Sequence, residues 1–137
     1  MNFLAFILLF ITSFANPVKP FKQEGRAYVY AEKLSGRPTF SGEKYNPELI
    51  TAAHATLPMK CIVQVTNLKT GKKILVKIND RMARSRYTVI DLSRAAAARL
   101  GLTKQGGGQV RIERSAKFNT EAYLAFINAD TLTAKNI

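Results

Sequence analysis

The chain has 137 residues, about one domain's worth, with 47% apolar and 22% charged residues, so it is globular rather than disordered and a second large domain is excluded. Twenty-one Lys+Arg against nine Asp+Glu give a formal charge of +12, which calls for an anionic partner: nucleic acid, anionic lipid headgroups or a carboxylate-bearing wall polymer. A single Cys, Cys61, excludes an internal disulfide, and one His with one Cys excludes the usual three- or four-ligand zinc site of N and S donors.

Phe3 to Ile11 is unbroken apolar sequence, and Ser13 and Ala15 place small residues at −3 and −1 before Asn16. The segment is short for a membrane span and reads as a secretory signal, residues 1–15, cleaved after Ala15. No Lys or Arg precedes the apolar run, which leaves an uncleaved anchor as the other reading. No Cys lies near the cleavage site, so a lipoprotein is not expected, and export to the periplasm or cell envelope demotes nucleic acid as a partner.

Residues 16–24, with two Pro and two Lys, read as a linker, and a domain is expected over residues 25–114. Arg26 to Ala31 looks like a strand, after which Ser35-Gly36-Arg37-Pro38 and Ser41-Gly42 break the chain. Asn46-Pro47-Glu48 carries helix-start chemistry and predicts a short helix through about Ala53, with His54 at its end. Cys61 to Asn67 and Lys73 to Ile78 form a hairpin around Gly71, and Cys61 is expected to be a buried strand thiol. Ile74, Val76 and Ile78 share one face, and continued extension places Asp80 in that apolar row. Val89 to Leu92 is a short strand. Ser93 caps an Ala-rich helix, Arg94 to Leu100, which Gly101 stops. Gly106 to Gly108 precede a strand, Gln109 to Glu113, and so form a turn rather than a phosphate cradle. Residues 115–137 form a short C-terminal tail whose Tyr123, Phe126 and Ile127 share a helical stripe. A helix packed on the domain is the plain reading; a mobile end or a partner contact are the others.

The ionisable residues in loop-like settings are Glu43, His54, Asp80, Arg81 and Asp91. A lone His at a helix end is more often structural, Glu43 beside Lys44 resembles a solvated pair, and Asp91 could be a structural acceptor. Asp80 stands out, because burial would raise its pKa and Arg81 would lower it, the balance a general acid near neutral pH needs. Lys69 to Arg86 carries seven basic residues and one acid, either a solvated hairpin face or a basic rim drawing an anionic polymer across Asp80.

The runs Gly25 to Pro58, Val65 to Arg81, Val89 to Leu102 and Gly106 to Glu113 contain, in order, SGE, TAAH-x-TLP, VTNL-x-x-GK, INDR and IDLS. This combination resembles the rare lipoprotein A (RlpA-like) double-psi β-barrel family. The resemblance implies a mainly β fold, a small six-stranded double-psi barrel with short helices. It also implies a lytic transglycosylase acting on peptidoglycan glycan strands, preferring strands stripped of stem peptides. Asp80 and His54 would be the functional pair, with Asp80 the acid/base that lets the sugar's own 6-hydroxyl close a 1,6-anhydro ring. Glu43 would lie in the same cleft, and Asp91 matches a carboxylate used by expansin-like relatives. Arg81 and Tyr45 stand with them as supporting or substrate-binding residues. No cofactor and no metal are implied. The expected partner is the glycan strand, not nucleic acid, met by a monomer with a transient membrane-surface contact. A non-catalytic expansin-like glycan binder is the alternative, and a secreted toxin or inhibitor on the same barrel a third reading. Met82-Ala83 stands where the family usually has Gly-Pro, Thr39-Phe40 where Thr-Ala is common, and Lys60-Cys61 where Gly-Thr is usual.

Overall fold

Six strands close into a barrel in a computed structural model that describes residues 16–30, 32–102 and 107–135. The expected signal segment 1–15, Ala31 and Gly106 lie outside the described residues. The strands are β1 (Phe21–Val29), β2 (Thr51–His54), β3 (Ile62–Asn67), β4 (Lys73–Arg81), β5 (Thr88–Leu92) and β6 (Gly108–Arg114). Around the barrel they run β1-β5-β2-β4-β3-β6. The pairs β1–β5 and β2–β4 are parallel and the other four antiparallel. Two interlocked parallel crossings in a closed six-stranded sheet are the double-psi arrangement. Closure leaves no strand edge open to another chain.

Alternating apolar residues fill the barrel: Val63 and Val65, Ile74, Val76 and Ile78, Ile90 and Leu92, and Val110 and Ile112 are at most 3% exposed. Helix α1 (Arg94–Arg99) adds Ala96 and Ala97 to this core. Ser93 caps it by accepting from Ala96 N, and its own hydroxyl donates to Leu49 O at 2.6 Å, tying the loop before β2 to the start of the helix. Helix α2 (Thr120–Lys135) packs on the barrel: the Tyr123 hydroxyl donates to Ile50 O at 2.8 Å, and Phe126 and Ile127 lie against the core. The tail thus takes the plain reading of its apolar stripe.

Three sequence expectations change. The first strand begins at Phe21, so residues 21–24, expected in the linker, pair with Arg114 to Arg111 of β6. The polar alternation of Lys22 and Glu24 is that of a half-exposed strand. The helix expected from Pro47 to Ala53 does not form. Asn46 closes a local turn by accepting from Glu48 N through its side chain, and Thr51 to His54 pair with β4, Ala52 and Ala53 with β5 as well. Barrel pairing outweighs the helix-start residues there. Cys61 lies just ahead of β3 and is half-buried; burial pushes its thiol up, away from thiolate chemistry. The glycine turn before β6 is a matter of close approach. Gly107 has φ +59°, and a Cβ there would sit 1.7 Å from Ala27 O.

Candidate active site

Asp80 leaves the barrel's apolar row through a bulge. Ala52 pairs with Ile78 and Ala53 with Asp80, so Asn79 is the extra residue on β4. The strict alternation expected from Ile74, Val76 and Ile78 therefore breaks one step early, and Asp80 enters a cleft lined by Tyr30, Tyr45, Ala53 and Asp91. Both carboxylate oxygens are held. Tyr30 donates to Oδ2 at 2.6 Å, while Oδ1 accepts from Phe40 N at 2.9 Å and from Arg81 N at 2.8 Å. A carboxylate has about four lone-pair sites, so about one remains to face a ligand. Phe40 is brought there by a tight turn in which Gly42, at φ +88°, donates to Thr39 O at 2.9 Å. Ser41 N donates to Asn79 O at 3.1 Å and fixes this loop on the end of β4.

Asp91 reaches the same cleft from the other side. Ala53 on β2 is the register partner of both Asp80 and Asp91, so the two acids flank one small side chain, their Cα atoms roughly 10 Å apart across two strand spacings. Ile90 and Leu92 point into the core, which turns Asp91 outward. Among the described residues its carboxylate accepts no hydrogen bond. Burial first, and the negative charge of Asp80 second, raise its pKa above the ordinary carboxylate value. Tyr30 is raised as well, by burial and then by its bond to Asp80, so it remains a donor. Tyr45, 5% exposed, packs against Tyr30 with ring centroids 4.5 Å apart and ring planes tilted by 48°, and forms the cleft wall. The cleft itself holds only about 10 Å³, room for about one water, so a sugar would lie across its mouth rather than enter it.

The His54 side chain makes no hydrogen bond to Asp80. It is 2% exposed, and its Nδ1 accepts from Thr56 N at 3.1 Å and Leu57 N at 3.0 Å. With Nδ1 used as an acceptor, Nε2 carries the hydrogen and donates to Gln23 Oε1 at 2.9 Å. Burial, then the Arg81 charge, push His54 down to about 4. Phe21 packs edge-on against its ring at 5.6 Å. Arg81 forms no ion pair with Asp80; its Nη1 donates to His54 O at 3.2 Å and Leu57 O at 2.8 Å, and its guanidinium lies 5.2 Å over the Phe40 ring. The link from His54 to Asp80 therefore runs through the backbone at His54, the Arg81 side chain and the Arg81 amide.

Glu43 lies outside the cleft lining and pairs with Lys77, Nζ to Oε2 at 2.9 Å. The basic segment is also divided. Lys77 and Arg81 are engaged as described, while Lys69, Lys72 and Lys73 sit at the hairpin end, and Lys73 is seven residues, about 23 Å, along the strand from Asp80. Arg84 and Arg86, both exposed, follow Asp80 on the loop out of β4. Met82-Ala83 begins that loop without displacing Asp80, whose three bonds are all made ahead of it. Among the described residues no group of three or more His, Cys, Asp or Glu could hold a metal ion. Tyr30 and Gln23 are the site residues that motif reading passes over. The alternation Arg26, Tyr28, Tyr30 running off the end of β1 is the one signal for Tyr30, and Gln23 has none.

A closed double-psi barrel with two acids gathered over one alanine defines a class of small barrel with a carboxylate cleft. The family model described as lytic transglycolase matches residues 22–112, and the chain belongs to this RlpA-like double-psi β-barrel family. It is 47% identical over 104 residues to the endolytic peptidoglycan transglycosylase RlpA of Haemophilus influenzae, covering 76% of this chain and 36% of that one. Identity to the protein of the same name from Pasteurella multocida is 48% over 93 residues, covering 68% and 32%. For the Neisseria meningitidis serogroup B protein it is 44% over 99 residues, covering 72% and 41%. The chain thus spans roughly a third of the length of these curated relatives.

Proposed function

We propose that the chain is an exported lytic transglycosylase that cleaves the bond between MurNAc and GlcNAc in peptidoglycan glycan strands without water. The family supports the reaction class, and the names of the relatives support peptidoglycan as substrate. The observation that carries the chemistry is the pair formed by a triply bonded Asp80 and an Asp91 that accepts no hydrogen bond among the described residues. Two acids whose surroundings differ this much are suited to different proton tasks.

In this reading the raised pKa of Asp91 makes it the proton donor. Its proton passes to the glycosidic oxygen as the bond from that oxygen to the anomeric carbon of MurNAc breaks, and GlcNAc leaves with a 4-hydroxyl. The Asp80 carboxylate faces the oxocarbenium character that develops. Through its remaining lone pair it then takes the proton of the MurNAc 6-hydroxyl as that oxygen bonds to the anomeric carbon, closing the 1,6-anhydro ring. Exchange with water returns a proton to Asp91 and removes one from Asp80. This moves the donor role that the resemblance implied for Asp80 onto its neighbour and leaves Asp80 the base. Tyr30 fixes Asp80, and His54 is a positioning residue that shapes the loop held by Arg81. Residues 1–15 direct export to the periplasm or envelope. The chain acts as a monomer, its charge favouring an anionic wall and a transient contact with an anionic membrane surface.

The test is anhydro-muropeptide release from purified sacculi by the wild type, Asp80→Asn and Asp91→Asn, with sacculus pelleting measured alongside. Release that vanishes in both folded variants while pelleting persists supports the reading. Strong pelleting with no release by the wild type moves it to a non-catalytic glycan binder.

A further inference from the structure

The cleft does not end at Asp91. On β1, Ala27 points into the core at 0% exposure, which turns Arg26 and Tyr28 to the outer face, and Tyr30 directly follows the strand. Tyr30 reaches Asp80, and Tyr28 is the register partner of Asp91. Arg26 pairs with Thr88 on one side and with Gln109 of β6 on the other, and its amide donates to Tyr87 O at 2.8 Å. Around Arg26 lies an open depression of about 450 Å³ lined by Gly25, Arg26, Tyr28, Arg86, Tyr87 and Gln109. Tyr28 thus stands between the acid cleft and this depression, each step along β1 being roughly 7 Å for two residues.

The lining has a distinct chemistry. Two aromatic rings are offered to solvent, Tyr28 at 40% exposure and Tyr87 at 72%, where a soluble domain without a ligand has little reason to place both. The Arg26 guanidinium lies 5.5 Å over the Tyr28 ring, Arg86 is exposed at the rim, and no acid is among the lining residues. Aromatic faces take the apolar faces of pyranose rings, and planar guanidinium groups take carboxylates. A continuous polyanion such as nucleic acid would have to run on past the Asp80 carboxylate, which repels it. A glycan carries a carboxylate only on every second sugar, so one such group can lie over Arg86 while a glycosidic bond lies over the acids.

We infer that Tyr28, Arg86 and Tyr87 form a subsite for a carboxylate-bearing saccharide of the same glycan strand, next to the sugars at the acid cleft. The inference rests on the proposed reading of that cleft and adds to it the part of the strand that binds without reacting. The lactyl group of MurNAc is the carboxylate that fits, and it is free only where no stem peptide is attached through it.

The test measures binding of peptide-free GlcNAc–MurNAc oligosaccharides, and of the same oligosaccharides with the lactyl carboxylates amidated, to the full chain and to Arg86→Ala, Arg86→Gln and Tyr87→Ala. Thermal melting confirms that each variant is folded; both side chains are exposed. With wild type, amidation is expected to weaken binding about tenfold, the worth of one charge-assisted hydrogen bond. Both Arg86 variants should weaken binding of the acid form about as much and leave the amidated form unchanged. Tyr87→Ala should weaken both forms about fivefold. Wild-type affinity in all three variants, or equal loss of both ligands in the Arg86 variants, overturns the subsite. No binding or cleavage of either ligand by wild type instead overturns the reading of the cleft. Tighter binding of a single-stranded oligonucleotide, lost on Tyr87→Ala, would overturn the saccharide assignment in favour of nucleic acid.

Discussion

Tyr30, the residue that follows β1, donates to Asp80 Oδ2 across 2.6 Å from fifty residues away in sequence. The bond fixes the Asp80 side chain by the oxygen that the backbone amides of Phe40 and Arg81 leave untouched. Tyr30→Phe keeps the ring on Tyr45 and removes only the donor. Hydrogen bonds to charged groups are worth about 1.5–3 kcal/mol, so turnover should fall about tenfold to a hundredfold. Anhydro-product kinetics on a soluble glycan check this. A loss confined to KM would mean that Tyr30 contacts the sugar rather than Asp80.

Asp91→Asn should separate stability from activity. The folded state raises the pKa of Asp91, so Asp91 favours the fold most at low pH, and that contribution is lost as pH rises through the raised value. At pH 7 the charged form is desolvated and repelled by Asp80. A neutral amide is free of both costs, and the variant should melt higher than wild type at pH 7 and converge with it at pH 4. Its anhydro-product rate should drop by about 10²–10⁴. For wild type the rate should fall toward high pH as Asp91 loses its proton. A variant that melts lower at pH 7 would show that Asp91 is a structural acceptor.

The barrel was legible because its strands alternate, as from Ile62 to Asn67 and from Lys73 to Ile78, and because Ser93 and Gly101 bound α1 with ordinary cap chemistry. Residues whose partners lie far away were not. Phe21 to Glu24 look like linker until β6 pairs with them, and Asn46-Pro47-Glu48 starts a helix only if Thr51 to His54 are not claimed by β4 and β5. At the site, Asp80 and Asp91 were both singled out, yet their meeting over Ala53 depends on a bulge at Asn79 that no alternation pattern contains. Glu43 and Arg81 have the charges of cleft residues, but Lys77 takes one and the carbonyls of His54 and Leu57 take the other.

Binding to sacculi should depend on salt. Lys69, Lys72, Lys73, Arg84 and Arg86 are exposed and spread over both ends of the β3–β4 hairpin, so their attraction to a wall polymer is long-range and screened. Between 0.05 M and 0.5 M salt the Debye length shrinks to about 4 Å, and pelleting should weaken severalfold. Unchanged pelleting would place the affinity in stacking on Tyr28 and Tyr87 rather than in charge.

His54 makes the fold sensitive to mild acid. In the unfolded chain it takes a proton near pH 6.5, whereas in the barrel it resists until about pH 4, because burial and Arg81 disfavour the cation. Between those values the unfolded state binds the extra proton, so stability falls as pH drops through this window and is flat above about pH 7. The loss is of order 2–3 kcal/mol, a melting temperature lower by about 10 °C for a domain this size. Geometry gives the same direction. A protonated Nδ1 could no longer accept from Thr56 N and Leu57 N, leaving two donors without their partner. His54→Asn retains an acceptor but no titration, so it should melt lower than wild type at pH 7.5 and lose less on going to pH 5. If wild type and His54→Asn lose stability in parallel between pH 7.5 and 5, the imidazole is not held neutral by the barrel. If wild type alone loses it, the ring is a fixed neutral brace under the Arg81 loop, and any acid limb in the activity profile near pH 5 reports unfolding of that loop rather than chemistry at Asp91.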